Sequence, residues 1–267
     1  MVRVGVIGVG TIAKAVLTGL CTAFKNNEKP DFIEGKILIS KRGTANANEL
    51  ATNFPEFIEI ASDLETIVNN SDWLIVALLP TSAAEILNGF TFRKDQIVLN
   101  FMSGILSEED AKKVFAPVEQ VVRVCPWPCA RLRLGPIMIL NSPNELVTQF
   151  LGLVGTVTHT TTMDEFITIC ASSCVMASFY NSLETITKWL EGKNIPKATA
   201  STFLGSIIHA FAVDAKNQGD QGFQHITDDS QTPGGLNEQV LKSLVNDGVF
   251  NHLTNALDAV VERQKKK

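Results

Sequence analysis

The sequence predicts an α/β fold in which a largely parallel, doubly wound sheet over residues 1–162 precedes an all-helical domain over residues 163–267. Two observations predict it. In the first part, short runs rich in β-branched residues alternate with stretches of helical periodicity, an order typical of parallel strands joined by crossover helices. In the second part, apolar residues recur at helical spacing and no further strand is predicted.

Eight short strands account for the sheet. Residues 73–79 are apolar throughout, as expected of a strand that helices cover on both faces. The predicted strands span residues 2–7, 36–40, 57–60, 73–79, 97–101, 120–124, 137–140 and 156–159. Their alternation with helices predicts that most of them run parallel.

Four helices are predicted in the second domain. The first opens at Thr162 and continues to Glu191, and the second follows Pro196 and runs to about residue 217. After a polar loop, the third begins behind Pro233-Gly234-Gly235 and the fourth after Gly248. The first helix is apolar on most sides and needs more burial than this domain provides. We therefore expect a homodimer in which these helices interlock.

Composition argues against several classes of protein. The chain has 23 basic and 28 acidic residues, a net charge of −5, which gives no electrostatic reason to expect nucleic acid or an anionic membrane as a partner. No secretory signal is expected before the first strand, and no apolar run is expected to reach the length needed to span a bilayer. Five cysteines without an export signal predict reduced thiols in a cytoplasm. The histidines do not fall at ligand spacing from them, so no metal site is predicted.

The first residues carry a dinucleotide-binding pattern. The apolar run of residues 2–7 breaks into Gly8-Val9-Gly10-Thr11-Ile12-Ala13 before a helical stretch. Gly8 permits a tight turn, Gly10 lets a pyrophosphate approach the backbone, and the helix start presents free N–H groups to the phosphates. We therefore expect a Rossmann-type sheet whose Gly8, Gly10, Thr11 and Ile12 hold the pyrophosphate through backbone groups.

The end of the second strand indicates which dinucleotide is bound. Residues 36–39 lead into Ser40-Lys41-Arg42. An acidic residue there would hold the ribose 2′-hydroxyl of NAD, whereas a cation suits the 2′-phosphate of NADP. The sequence therefore predicts NADP(H), with Ser40 and Arg42 at the 2′-phosphate and Lys41 beside them.

A second candidate ligand site lies at Thr232-Pro233-Gly234-Gly235-Leu236-Asn237. Two glycines leave the backbone bare just before a predicted helix, so the first N–H groups of that helix can face a small carboxylate. A tight turn between two helices explains the same residues. The spacing alone favours the turn.

In their order along the whole chain, these landmarks resemble those of the pyrroline-5-carboxylate reductase family. The resemblance rests on the glycine turn at 8–13, the strand end at 40–42 and the Pro-Gly-Gly segment at 232–237, where the family has "GxGxMA", "Ser/Asn-Arg" and "SPGGTT". Further matches are "AVKP" at Ala77-Leu78-Leu79-Pro80, "AG" at Ser103-Gly104, "VRxMPNTP" at residues 122–128 and "IEAL…GLP" at residues 183–196.

The resemblance implies a nucleotide domain followed by a helical dimerisation domain, with the substrate between the nicotinamide and the partner subunit's helical domain. It implies an imine reductase that passes hydride from C4 of NADPH to the C=N carbon of pyrroline-5-carboxylate, forming proline. Ala77 and Leu78 join the predicted cofactor site, and Leu79 and Pro80 would flank the nicotinamide ribose.

The chain departs from the family in the segments implied to bind substrate. The "SGSGPAY" loop corresponds to residues 172–178, which lack its glycines and proline, so we expect helix there. The "PNTP" loop has become Pro126-Trp127-Pro128-Cys129, and the threonine of "GGTT" that touches the substrate nitrogen is Asn237. By analogy, Asn237 is the predicted catalytic, substrate-positioning residue. The predicted substrate-binding residues are Ser172, Ser173, Thr232, Gly234, Gly235 and Asn237.

These departures leave three functions open. The first is reduction of pyrroline-5-carboxylate. The second is reduction of another substrate on the same scaffold, such as a six-membered imine or a deazaflavin, because an indole at Trp127 changes the wall of the predicted pocket. The third is binding of NADP(H) by a sensor or scaffold that lost turnover together with the "SGSGPAY" loop.

Overall fold

The computed structural model describes residues 1–102, 108–142, 144–218 and 222–265, and it confirms the predicted fold class. The strands are β1 (Val4–Ile7), β2 (Ile37–Ile39), β3 (Ile58–Ile60), β4 (Trp73–Val76), β5 (Ile97–Asn100), β6 (Gln120–Pro126), β7 (Pro136–Leu140) and β8 (Thr156–Thr160). The helices are α1 (Thr11–Lys25), α2 (Thr44–Asn53), α3 (Leu64–Asn70), α4 (Pro80–Leu87), α5 (Glu108–Val114), α6 (Glu145–Gly152), α7 (Met163–Ser172), α8 (Met176–Glu191), α9 (Lys197–Gln218), α10 (Gln224–Asp229), α11 (Leu236–Asn246) and α12 (Val249–Lys265).

The strands form one sheet in the order β3-β2-β1-β4-β5-β6-β7-β8. The first three strands extend the sheet in one direction from β1, and the chain then returns to the other side of β1 with β4. This reversal creates a switch point between β1 and β4, where doubly wound sheets bind ligands beyond the carboxyl ends of their strands.

Helices cover both faces of the central strands, which explains the uninterrupted apolar run. In β4, Trp73 and Ile75 belong to one buried cluster, whereas Leu74 and Val76 belong to another. This alternation follows from the two-residue period of a strand, because neighbouring side chains point to opposite faces. Strand β4 ends at Val76, three residues before the predicted end, because the next residues leave the sheet and lead into α4.

One strand pair departs from the parallel arrangement. Strands β6 and β7 are antiparallel, and a short 3-10 helix at Pro128–Leu132 lies in the connection between them. A parallel pair needs a crossover of a dozen or more residues, which this connection is too short to provide. The chain therefore turns back, and β8 then pairs with β7 in parallel.

The chain divides into two compact units, one of residues 1–170 with 264–267 and one of residues 171–263. The sequence predicts the domain boundary after residue 162. The observed boundary lies after residue 170, eight residues later. The reason lies in α7, whose Phe166 is buried in a small cluster with Met138 and Leu140 of β7. Most of helix α7, up to Cys170, thus belongs to the first unit.

The helices of the second unit follow the predicted order. Residues 163–191 remain helical, with a 3-10 turn at Ser173–Val175 in the segment that lacks the glycines and proline. The polar loop contains an additional helix, α10, which is only six residues long and has no apolar periodicity to predict it. The 29 residues of 163–191 are long and apolar enough to cross a membrane by length and composition, so the expectation that no run reaches that length is wrong.

The second unit leaves many large apolar side chains exposed. Its helices α8, α9, α11 and α12 bury few residues within the chain. The exposed apolar side chains include Tyr180, Trp189, Phe203, Phe211, Phe223, Leu236 and Val240. An apolar surface of this extent marks an interaction site, because monomeric soluble proteins rarely expose one.

Candidate functional site

The carboxyl ends of three strands meet at the switch point. In the parallel register Val6 pairs with Ile39, and Ile7 pairs with Val76. The pairing continues one residue further, because Ser40 N donates to Val6 O at 3.0 Å and Ala77 N donates to Ile7 O at 2.9 Å. The fold therefore gathers the glycine turn, the end of β2 and the end of β4 at one edge of the sheet.

The two glycines of the turn have different roles. Gly8 has a φ of +92°, and a Cβ there would lie 2.6 Å from Ala77 O, so only glycine fits. Gly10 has an ordinary φ of −78° and precedes α1, and a Cβ there would meet nothing within 4 Å. Gly8 thus serves the close contact with β4, whereas Gly10 leaves open space in front of a helix.

The start of α1 suits an anion. No side chain caps its N-terminus, and its first turn contains no acidic residue. The N–H groups at the start of a helix have no partner within the helix, and its dipole favours negative charge. Gly10 and Thr11 are exposed there, and Ile12 is half-buried. The backbone of Gly10 and Thr11 is therefore accessible and has the right polarity for the predicted pyrophosphate. Gly8 is buried, and its N–H is bound to Ser40 Oγ, so it does not face a ligand in the same way.

The end of β2 contributes one buried serine and two exposed cations. Ser40 is 2% exposed, and its Oγ accepts a hydrogen bond of 2.9 Å from Gly8 N. The side chains of Lys41 and Arg42 are exposed, and Arg42 O accepts a hydrogen bond from Val9 N at 3.1 Å. The structure thus brings the glycine turn and the predicted 2′-phosphate residues together, with Ser40 bound to the turn itself.

Two residues that the sequence reasoning did not single out support this arrangement. Gly43, with a φ of +86°, lies so close to Val9 O that a Cβ has no room. Asn46 Nδ2 in α2 donates to the same carbonyl oxygen at 2.9 Å. A glycine directly after a basic strand end and before a helix is the signal that predicts such a close contact.

The end of β4 presents one of its apolar side chains to solvent. Leu78 is 6% exposed and belongs to a buried cluster, whereas Leu79 is 70% exposed. Ala77 packs partly buried against the other cluster, and its carbonyl oxygen faces Gly8. Pro80 begins α4. Among the described side chains of Ala77, Leu78 and Leu79, that of Leu79 is exposed and can meet a ligand. Ser103-Gly104 lie outside the described residues.

The Pro-Gly-Gly segment in the second unit is internally hydrogen-bonded. Gly234 has a φ of +74°, and Gly235 N donates to Thr232 O at 2.7 Å, which closes the turn before α11. Gly234 N donates to Glu238 Oε2 at 2.7 Å, and Lys242 Nζ lies 2.7 Å from Glu238 Oε1. Lys242 and then Gly234 N–H lower the pKa of the Glu238 carboxyl. The Glu238 carboxylate therefore accepts the hydrogen bond of the Gly234 N–H group, which the sequence predicts to bind the substrate.

Asn237 follows this turn in the first turn of α11. Its Nδ2 donates a hydrogen bond of 3.0 Å to Ser230 O, which orients the amide. The side-chain oxygen of an amide so held can still accept a hydrogen bond. Ser172 ends α7 and Ser173 begins the 3-10 turn, the first exposed and the second half-buried. All predicted substrate residues belong to the second unit, and all predicted cofactor residues belong to the first.

Two family models match this chain. The model described as "NADP oxidoreductase coenzyme F420-dependent" matches residues 3–104, and the model described as "Pyrroline-5-carboxylate reductase dimerisation" matches residues 161–267. Pyrroline-5-carboxylate reductase 2 of Bacillus subtilis is 22% identical over 272 residues, which cover 98% of this chain and 94% of the relative. Pyrroline-5-carboxylate reductase of Aquifex aeolicus is 30% identical over 142 residues, which cover 53% and 49%.

Solved structures show the same fold. A pyrroline-5-carboxylate reductase from Coxiella burnetii superposes with a TM-score of 0.81 at 20% identity, covering 99% of this chain and 98% of the other. A Plasmodium falciparum pyrroline carboxylate reductase with NADP bound has a TM-score of 0.80 at 18% identity, covering 99% and 97%. A reductive aminase from Aspergillus terreus in complex with NADPH has a TM-score of 0.59 at 15% identity, covering 100% and 94%.

Proposed function

We propose that this chain is a member of the pyrroline-5-carboxylate reductase family and an NADPH-dependent imine reductase that reduces pyrroline-5-carboxylate to proline. The family models span both ends of the chain, and the Bacillus subtilis relative aligns along almost all of it. The observation that carries the proposal is the assembly of the glycine turn, buried Ser40 and exposed Arg42 at the switch point of the sheet.

The residues at this edge fit a dinucleotide with a 2′-phosphate. The space in front of Gly10 and the uncapped N–H groups of α1 suit a pyrophosphate. Lys41 and Arg42 supply positive charge for the 2′-phosphate, and guanidinium binds phosphate oxygens in a bidentate manner. Ser40 holds Gly8 in place, and Leu79 gives the nicotinamide ribose an apolar neighbour. Bound NADPH would supply the hydride.

Few residues of the chain need to act on the substrate, because the cofactor supplies the hydride. A protonated imine needs positioning and exclusion of water more than it needs a strong acid. Asn237 would accept or donate one hydrogen bond at the ring nitrogen, since its amide is already oriented by Ser230 O. The N–H group of Gly234 would bind the carboxylate, with the substrate displacing Glu238. The predicted N–H group of Gly235 is already bound to Thr232 O within the turn.

The proposal includes a homodimer formed through the C-terminal helices. The dimerisation model matches residues 161–267, and the second unit exposes large apolar side chains such as Trp189, Phe203 and Phe211. Burying this surface against a second copy removes it from water at about 25 cal/mol per Å². We place the enzyme in the cytoplasm, where NADPH is available, and its five cysteines are free thiols. Sedimentation of the purified chain measures the oligomeric state.

The decisive experiment incubates the enzyme with pyrroline-5-carboxylate and measures the loss of nicotinamide absorbance, with NADPH and NADH in parallel reactions. Mass spectrometry identifies the proline formed. We expect proline and a preference for NADPH. The same assay with a six-membered cyclic imino acid tests the second candidate, which Trp127 favours because an indole replaces a small polar residue of the family loop. Tight NADPH binding without oxidation by any imine would overturn the enzymatic proposal and favour a binding protein.

A further inference from the structure

Two cysteines far apart in the sequence are paired in the first unit. Cys125 lies in β6, and Cys170 lies in the last turn of α7. Their side chains share a hydrogen bond, and both pack, half-buried, on the small cluster of Met138, Leu140 and Phe166. They are 45 residues apart in the sequence (170 minus 125), so only the fold brings these two thiols together.

The periods of the two elements explain the contact. Arg123 and Cys125 are two residues apart in β6 and therefore point to the same face of the sheet. Phe166 and Cys170 are four residues apart in α7 and therefore lie on the same face of the helix. The guanidinium carbon of Arg123 lies 5.5 Å from the centre of the Phe166 ring. The Arg123–Phe166 and Cys125–Cys170 contacts are thus two successive steps of one strand–helix interface.

The surroundings of this pair differ from those of an inert core thiol. Cys21 is completely buried among the apolar residues of the sheet, and burial raises the pKa of its thiol to about 12. At Cys125 the hydrogen bond from Cys170, aided by the charge of Arg123, outweighs burial and lowers the pKa of the thiol. Because the thiolate is the reactive form, Cys125 is more nucleophilic than Cys21.

We propose that Cys125 and Cys170 form a redox-active dithiol that closes to an intramolecular disulfide between β6 and α7. Both thiols pack against the same three-residue cluster, and a disulfide between them would have an S–S bond of about 2 Å. The sulfur of Cys129 lies against Gly135, where an added Cβ would come within 2.3 Å of it. Cys174 is exposed and belongs to the second unit.

The oxidant in this proposal is a low-molecular-weight disulfide such as oxidised glutathione. The Cys125 thiolate attacks one of its sulfurs, the S–S bond breaks, and one thiolate leaves as a mixed disulfide forms. Cys170 then loses its proton and attacks the Cys125 sulfur, which expels the second thiolate. Two protein thiols lose two electrons and two protons, and one small disulfide becomes two thiols.

The test equilibrates the full chain in buffers with increasing ratios of oxidised to reduced glutathione, blocks free thiols by alkylation and maps the peptides by mass spectrometry. We expect the peptides that contain Cys125 and Cys170 to become linked, and their free thiols to disappear together. The exchanges C125S and C170S should each abolish the link, whereas C129S and C174S should leave it unchanged. Oxidation that gives only separate mixed disulfides, or a link to Cys129, would overturn the proposal.

A second measurement separates the pair from two unrelated reactive thiols. In the native protein, iodoacetamide should alkylate Cys125 at least about tenfold faster than Cys21, because alkylation requires the thiolate. The exchange C170A should slow alkylation of Cys125 by removing the hydrogen bond, and C170S should restore the rate, because a hydroxyl can donate in place of the thiol. Equal rates in C170A, C170S and the wild type would contradict the pairing, and circular dichroism confirms that each variant is folded.

Discussion

Gly8 donates its backbone N–H to Oγ of Ser40 over 2.9 Å, at a point where the serine is 2% exposed. This bond joins the turn after β1 to the end of β2, two segments that are 32 residues apart. The residue predicted at the 2′-phosphate therefore also orients the backbone predicted at the pyrophosphate. The Ser40 hydroxyl thus links the proposed pyrophosphate site to the proposed 2′-phosphate site.

Replacing Ser40 with alanine should therefore destabilise the fold as well as weaken cofactor binding. Alanine would leave the buried N–H of Gly8 without an acceptor, at a cost of about 1–3 kcal/mol. Urea unfolding of S40A measures this loss. The matched exchange S62A removes an exposed hydroxyl and should change the free energy of unfolding by no more than about 0.5 kcal/mol. Equal stability of the two variants would contradict the role assigned to Ser40.

The two glycines of the turn should separate stability from binding. G8A should unfold at lower urea concentration, because its φ of +92° and the 2.6 Å approach to Ala77 O leave no place for a Cβ. G10A should keep wild-type stability within about 0.5 kcal/mol, since its Cβ meets open space. It should nevertheless bind NADPH at least about tenfold more weakly, because that Cβ stands where the pyrophosphate approaches. Calorimetric titration that finds wild-type affinity in G10A would exclude a pyrophosphate at this turn.

Arg42 should determine the choice between the two nicotinamide cofactors. R42D places a carboxylate where a 2′-phosphate is proposed, so the preference for NADPH over NADH should fall at least about tenfold, or about 1.4 kcal/mol. The affinities of both cofactors measure the change. K36D is the matched control, because Lys36 is exposed just before β2, at the opposite end of the strand from Arg42. An unchanged ratio in R42D would remove Arg42 from the cofactor site.

Asn237 should affect the substrate and not the cofactor. N237A removes the proposed hydrogen bond to the imine nitrogen, and we expect kcat/KM for pyrroline-5-carboxylate to fall about tenfold while the Kd of NADPH stays constant. N237T introduces the residue that the family carries there and should retain more activity than N237A. If steady-state kinetics find N237A unimpaired, Asn237 does no more than close the turn onto Ser230 O.

Asp72 should make the stability of the first unit depend on pH. Burial raises the pKa of its carboxyl, but hydrogen bonds from Arg3 N, Nε and Nη2 together outweigh burial and lower that pKa overall. A carboxylate with a lowered folded pKa contributes fully above its unfolded pKa of about 3.9, and this contribution is lost as the pH falls further. The free energy of unfolding should therefore fall less steeply below about pH 4 in D72N than in the wild type. Parallel slopes in urea titrations at successive pH values would contradict this.

The sequence by itself determined the eight strands, the glycine turn and the division into a sheet and a helical region. These features are local. The two-residue period of a strand and the 3.6-residue period of a helix are visible within each segment, and the positive φ at Gly8 depends on its immediate neighbours. The apolar run of β4 even predicted its burial on both faces. The pairing of Ser40 with Gly8 was not predicted, although both residues were assigned to one site.

The tertiary structure alone decided which distant residues touch. It made β6 and β7 antiparallel, added most of α7 to the first unit and brought Cys125 and Cys170 onto the same small cluster. It also paired the N–H group of Gly234 with the carboxylate of Glu238, although the sequence motif predicts that this N–H group binds a ligand. The physical reason is that such contacts depend on how elements pack and align, and packing selects among many arrangements that satisfy the same local periods.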